Sequence, residues 1–541
     1  RRRKRGDFPD PDKRVFINTD VCEGCGDCGV QSNCVSIVPV QTEFGRKRAI
    51  DQSSCNKDFS CVKGFCPSFV TVTGAKVKSQ GTAETALPDL PSPTIPLING
   101  THNIIITGVG GTGVVTIGAI LAMAAHLDNK GAGMMEMAGL AQKGGAVHIH
   151  CRLANKPDDI SAIRIATGEA DAVIGGDLVV TAGFKTLSLM KEGRSRAVVN
   201  SHNIITGEFT RDTDFVVPND RLILSLEARL KNMVNFLDST KLSKSILGDS
   251  IFSNMVIFGA AWQSGMIPLS YESIVKSIEL NGAAVKLNLK AFEVGRWAVV
   301  FPDDVEKRLN AVVIELPHTL KEKILFRSEH LKHYQSKSLA NKYTKFVKKF
   351  KDTEIGESVA EGYHKVLSYK DEYEVARLHR ATAIKLKNEF DGNVKIRYHL
   401  SPPLISRIGS DGRPQKKEFG SFIENIFVLL SKFKFLRGSI FDPFGYSAER
   451  KMERSLIHLY EKDMEGLLEK KLLNTESAVS LAKLPMQIRG FGPVKKTNYD
   501  LAMIRRKELL KVLEEEYLNC LPTETVDSTS KYNTGRSLDH G

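Results

Sequence analysis

The hydrophobic pattern changes character along the chain. Between Asn103 and Thr107, Ile104-Ile105-Ile106 stand in succession, without the polar alternation of a half-exposed strand. Such a β-branched run predicts a strand buried on both faces, as in a parallel sheet. It leads into Gly108-Val109-Gly110-Gly111-Thr112-Gly113, and Val114 to His126, rich in alanine and leucine, predicts a helix. Ala146–Arg152, Ala172–Ile174 and Arg196–Asn200 predict further strands, and Ile251 to Ala298 predicts helices that close the region. From about Pro302 the texture is helical and charged. There Met452, Leu456, Tyr460, Met464, Leu468 and Leu472 recur every four residues, an amphipathic stripe read as a packing face. Nearer the N-terminus, Arg14–Asn18, Val35–Val40 and Phe69–Val72 are short and β-like.

Seven of the nine cysteines lie between Val21 and Pro67. Cys22, Cys25 and Cys28 are spaced C-x2-C-x2-C, and Cys66 is followed by Pro67. Thiolates so spaced share one tight loop and can converge on one iron–sulfur cube, with a remote Cys-Pro as fourth ligand. The second half is less regular: in Cys55-x2-Asp58-x2-Cys61 an aspartate stands where a middle cysteine is expected. A carboxylate can ligate iron, though it is harder than thiolate. Three readings stay open: a second cluster on Cys34, Cys55, Cys61 and Asp58, a three-iron cluster on the three cysteines, or no second cluster. Zinc prefers paired knuckles over three cysteines in one short run, and disulfides need an oxidising compartment.

At 541 residues the chain is long enough for about three domains. The expected order is a ferredoxin-like iron–sulfur domain over 1–76 and a linker over 77–100, with four prolines among polar residues. A doubly wound, Rossmann-like domain over 101–300, a mainly helical domain over 301–521 and a polar, disordered tail over 522–541 complete it. No run approaches the roughly 18 apolar residues of a membrane helix, and no signal peptide is visible, so a cytoplasmic protein is expected. The opening Arg1-Arg2-Arg3-Lys4-Arg5, without methionine, looks like the middle of a longer polypeptide. The formal charge of +13 is scattered and lacks interleaved aromatics, which argues against nucleic acid. A basic surface also suits an acidic electron carrier or an anionic cofactor such as coenzyme A.

Strand, G-x-G-x-x-G, helix opens a nucleotide-binding unit, where amides at a helix N-terminus can receive phosphate. Gly108, Gly110, Gly111, Thr112 and Gly113 are the candidate residues; the same glycines also suit a tight turn with no ligand. Gly176-Asp177 followed by Asn200 loosely resembles a thiamine-diphosphate motif, but Leu178 and Ser201 break it, so it reads as a strand end with a loop. His148 and His150 lack acidic or thiol partners and read as packed or surface residues. Cys151 and Cys520 stand apart and read as structural.

The order of these parts carries a resemblance. Val15–Asn18, Cys22–Gly29, Cys55–Cys61 and Gly64–Phe69 precede the Gly108–Gly113 turn and Gly139-Leu140-Ala141-Gln142-Lys143-Gly144-Gly145. Tyr369–Arg377, Phe441–Tyr446 and Arg489–Gly492 follow. Over roughly residues 10–515 the chain resembles the C-terminal half of the fused bacterial indolepyruvate ferredoxin oxidoreductases, of the 2-oxoacid:ferredoxin oxidoreductase family. The resemblance implies oxidative decarboxylation of an aryl-2-oxoacid on thiamine diphosphate and magnesium carried by an N-terminal half. Electrons would leave through [4Fe-4S] clusters to ferredoxin, and coenzyme A would take the acyl group. This chain would supply the clusters, the gamma domain and the helical domain, be inactive alone, and form a homo-oligomer. Two rival readings remain: an iron–sulfur subunit of a nucleotide-binding dehydrogenase, for which the nearest acidic residue, Glu136, is poorly placed, and a non-catalytic interaction protein with degenerate cluster loops.

Overall fold

The computed structural model describes residues 11–78, 87–138, 145–203, 212, 214–310, 319–402, 406, 409 and 413–520. The basic start, Gly139 to Gly144, the Cys520 side chain and the tail from Pro522 lie outside the described residues. Contacts divide the chain into two units, Arg1–Leu316 with Val375–Lys432, and Pro317–Glu374 with Phe433–Gly541.

In the first unit, β1 (Lys13–Ile17) leads into the cysteine loops and the short α1 (Asp27–Ser32). β2 (Ile37–Val40) and β3 (Lys47–Ile50) form an antiparallel hairpin with Ile37 opposite Ile50. β4 (Phe69–Thr73) follows Cys66-Pro67 and pairs antiparallel with β1, Phe16 opposite Val70. The two-residue β5 (Lys76–Val77) ends this stretch.

The isoleucine run lies in β6 (Thr101–Val109), followed by α2 (Val114–Leu127), β7 (Gly131–Ala138), β8 (Ala146–Ala154), β9 (Ala172–Gly175), β10 (Arg196–Asn200) and β11 (Val234–Leu237). Their sheet order is β11-β10-β9-β6-β8-β7. Ile104 and Ile106 pack with α2 and with the helices Ser253–Gln263 and Val285–Val300, while Ile105 packs with Leu178 and Leu226 on the other face. Both faces are covered, as the unbroken apolar run predicted.

The sheet is not wholly parallel. β6, β9, β10 and β11 run parallel, but β8 lies antiparallel to both β6 and β7. A parallel neighbour needs a long crossover, whereas an antiparallel one needs only a short connection such as that between Ala138 and Ala146. β8 therefore slots between the two strands that α2 joins.

Residues 87–100 have no regular structure, yet they are strapped down. Leu87, Leu90 and Ile98 pack on the core, and the Pro91 carbonyl accepts from Gln263 Nε2 at 2.8 Å and Arg296 Nη2 at 3.3 Å.

The region from Pro302 is helical with one departure. Within the returning segment, β12 (Phe390–Asp391) pairs with β5, and β13 (Lys395–Leu400) pairs with β4 and with β14 (Lys417–Phe419). The cysteine-side sheet is thus β1-β4-β13-β14. The expected boundary at residue 301 cuts β12 and β13 off from partners more than three hundred positions earlier, a pairing that local pattern does not encode. A two-stranded pair is marginal in water, and three or more strands with an apolar face are needed. In the second unit Leu456, Tyr460 and Met464 are buried in a helical core, as the stripe predicted. Among the described residues no helix is long and apolar enough to cross a membrane.

The returning segment also carries a titrating carboxyl. Burial raises Glu389 from 4.5 to about 7; the Gln52 hydrogen bond opposes this and Asp51 adds to it. The folded state therefore binds the proton more tightly than the unfolded one. That contribution is complete below pH 4.5 and is lost as pH climbs to about 7. Urea-unfolding free energies measured across this interval should fall with pH in the parent and fall less in Glu389→Gln. An equal slope in both would exclude Glu389 as the titrating group.

Candidate functional site

The cysteines assemble into two groups, each recognisable by which thiols influence one another. Burial pushes the Cys25 and Cys28 thiols up; Cys66 and Cys22 add to this at Cys25, and Cys22, Cys25 and Cys66 add to it at Cys28. Cys66 is pushed up to about 11 by burial and by Cys22, against hydrogen bonds from Ser68. Cys22, Cys25, Cys28 and Cys66 are therefore one neighbourhood. In the other, burial lifts Cys61 to about 12, with Cys55, Cys34 and Asp58 adding, and burial likewise raises Cys55 beside Cys34 and Asp58.

Local backbone geometry explains the first group. α1 starts just after Cys25, so Cys28 sits in its first turn. The loop carrying Cys61 and Cys66 crosses α1 at Gly64, where a Cβ would lie 2.8 Å from Cys28 Cα; no larger residue fits. The Asp27 carboxylate accepts the Phe65 amide at 2.7 Å and faces Arg413 Nη1 at 3.1 Å, clamping the two loops. The amides of Gly24 and Ser68 donate to Cys22 Sγ at 3.3 Å and Cys66 Sγ at 3.4 Å.

The second group is more open. Asp58 is exposed, and its Oδ1 accepts from Ser60 N at 3.0 Å and Ser60 Oγ at 2.7 Å. Cys55 is half-buried.

Two cations frame the first group. Arg48 on β3 is 2% exposed, and burial lowers its guanidinium while Cys28, Cys22 and Cys25 act the other way. Lys416 Nζ donates to the Gly64 carbonyl at 2.5 Å and lies 4.7 Å from the centre of the Phe69 ring. Burial lowers this ammonium to about 8, opposed by Cys66, Cys28 and Cys61. Neither cation was singled out from sequence, since nothing local to Arg48 or Lys416 signals a thiol neighbour.

Among the described residues no group of three or more His, Cys, Asp or Glu forms a site for one metal ion. A single zinc gathers its ligands within roughly 2.0–2.3 Å of one centre. A cube spreads its four thiolates over four irons, so a wider set of sulfurs fits it. Buried Arg48, half-buried Lys416, sulfur-directed amides and four convergent thiols together fit a group bearing net negative charge.

At the glycine turn, Gly113 has φ +84°, a left-handed conformation that favours glycine, and a Cβ there would meet Asn254 Nδ2 at 2.7 Å. Three of the turn's amides are engaged within the domain. Val109 N donates to Asp177 Oδ2 at 2.6 Å, Gly110 N to the Gly145 carbonyl at 2.7 Å, and Thr112 N to the Val109 carbonyl at 3.2 Å. Gly176 and Asp177 do end a strand, and Asn200 Nδ2 donates to the Gly176 carbonyl at 3.1 Å. Glu136 lies within β7, opposite Ile149, and is exposed. His150 is buried and receives the Ile165 amide on Nδ1 at 3.0 Å; burial lowers it to about 4. Cys151 is fully buried in the core, its thiol pushed up to about 12 by burial.

A two-faced α/β sheet opened by strand, glycine turn and helix is the class of domain over residues 101–300. Residues 103–298 match the family described as pyruvate ferredoxin/flavodoxin oxidoreductase, and residues 320–508 match a family of unknown function. The indolepyruvate oxidoreductase subunit IorB of Methanothermobacter thermautotrophicus is 30% identical over 196 residues, which are 36% of this chain and 95% of that subunit. Its Pyrococcus horikoshii counterpart is 27% identical over 196 residues, 36% of this chain and 94% of that subunit. A solved keto/oxoacid ferredoxin oxidoreductase gamma subunit from Geobacter sulfurreducens aligns with 37% of this chain and 98% of its own, at 23% identity and a TM-score of 0.27. The chain belongs to the 2-oxoacid:ferredoxin oxidoreductase family, a family of oxidoreductases.

The Asp177 contacts carry a direct test. Asp177→Ala leaves the Val109 and Val180 amides without their acceptor and should cost about 1–3 kcal/mol in thermal or urea unfolding. A variant as stable as the parent would mean that the carboxylate does not brace the turn.

Proposed function

We propose that this chain is the electron-transfer and gamma part of a thiamine-dependent 2-oxoacid ferredoxin oxidoreductase acting on an aryl-pyruvate such as indolepyruvate. The observation that carries this reading is the convergence of Cys22, Cys25, Cys28 and Cys66 beside buried Arg48, in the chain whose residues 103–298 match the oxidoreductase family. The similarity to IorB supports the choice of substrate class. Thiamine diphosphate and magnesium would be held by a preceding half or a partner subunit, with coenzyme A as acyl acceptor and ferredoxin as electron acceptor.

When bound, iron–sulfur cubes supply single-electron redox chemistry. The chain's own residues do the holding. Cys22, Cys25, Cys28 and Cys66 would ligate one cube, with the Gly24 and Ser68 amides directed at two of the sulfurs. Cys34, Cys55, Cys61 and Asp58 would ligate a second, more exposed one. Arg48 and Lys416 would offset the charge of the first. The Gly108–Gly113 turn is better suited to shaping the domain than to cradling phosphate, because the Val109, Gly110 and Thr112 amides already have internal acceptors. The same engagement counts against a dinucleotide-dependent dehydrogenase.

Iron and acid-labile sulfide, measured per chain on protein prepared without oxygen, test this. About eight of each is expected for two four-iron clusters. Asp58→Ala should then lower the count while the first site keeps about four of each. Zinc or no metal in the parent would overturn the reading.

A further inference from the structure

The cations beside the four-cysteine group come from distant parts of the chain. Arg48 belongs to the hairpin next to the cysteine loops, and Lys416 comes from the returning segment Val375–Lys432, just before β14. Each is held by its surroundings. Arg48 is almost wholly enclosed, with Nη1 donating to the Lys47 carbonyl at 3.3 Å. Lys416 is anchored on the Gly64 carbonyl, with Cys66 O at 3.5 Å and the Phe69 ring beneath it. Both carbonyls lie on the loop that presents Cys66, which fixes the ammonium beside that ligand.

Burying a guanidinium is expensive unless negative charge faces it. A cube held by four thiolates would place net negative charge beside both cations. Adding an electron to such a cube makes it more negative. A fixed cation within a few ångströms stabilises the reduced state more than the oxidised one, and burial strengthens the effect by limiting screening. Net charge around the sulfurs is one of the terms that set a cluster's potential.

We propose that Lys416 and Arg48 act as positioning charges that hold up the reduction potential of the cluster on Cys22, Cys25, Cys28 and Cys66. The inference rests on the cluster reading above and adds a role for a residue from beyond the cysteine region. It also gives the returning segment a purpose beyond strand pairing: removing Lys416 should change redox behaviour without removing a ligand.

The test is a redox titration followed by electron paramagnetic resonance on iron-loaded full chain, for the parent, Lys416→Met, Lys416→Arg and Arg48→Lys. Lys416→Met should lower the midpoint of the four-cysteine cluster by about 59 mV, a tenfold change in the one-electron equilibrium constant. Lys416→Arg and Arg48→Lys keep the charge and should stay near the parent value. If Lys416→Met loads the parent amount of iron and its midpoint is unmoved, the inference is overturned. If Lys416→Met does not fold, Lys416→Gln provides the same charge loss with a polar side chain. A parent that binds no iron would overturn the cluster reading, and this inference with it.

Discussion

The first unit depends on β4 being paired along both edges. Phe69–Thr73 has β1 on one side and β13 on the other, so the strand that follows Cys66 lies inside a sheet. Around this join, polar groups from the returning segment secure the cysteine side. The His379 ring donates to the Pro67 carbonyl at 2.9 Å, and Asn18 Nδ2 donates to Thr382 Oγ1 at 2.8 Å. Without these partners β1 and β4 would be a marginal two-stranded ribbon, and Cys66 would hang from a loose end. Ligands that must meet within a few ångströms need a rigid frame. Here that frame is completed by residues far along the chain.

The same segment changes the electrostatics. Arg413 meets Asp27 and Lys416 meets the Gly64 carbonyl, so two cations enter the cysteine region from one stretch. The Asp27–Arg413 pair is partly exposed and contributes modestly to stability. Lys416 is likewise half-buried, with its ammonium on the Gly64 carbonyl and over the Phe69 ring. It lies near both cysteine groups.

How far the sequence could be read depended on how far apart the interacting residues lie. The C-x2-C-x2-C run is local, so its convergence was legible from spacing, as was Cys66 from its following proline. The isoleucine run of β6 was legible because burial on both faces leaves no polar position. The hairpin position of β8 was not, since a strand's apolar pattern does not say which neighbour it takes or in which direction. The glycine turn was visible as a turn, but the acceptors of its amides, Asp177 and Gly145, lie far from it in sequence. The helical texture after Pro302 hid β13 and β14, which are short.

By itself, the sequence determined the elements whose physics is local: the two cysteine sets with Asp58, the strand–glycine–helix unit, and the amphipathic helix through Leu456, Tyr460 and Met464. Only the tertiary structure decided what surrounds them. It brought Lys416 and Arg413 to the cysteine loops, engaged the turn's amides with Asp177 and Gly145, and placed β13 against β4. The physical reason is common to all three. Periodicity and spacing encode short-range geometry, whereas a buried charge or a strand edge is satisfied by whichever distant residue the packed chain delivers to it.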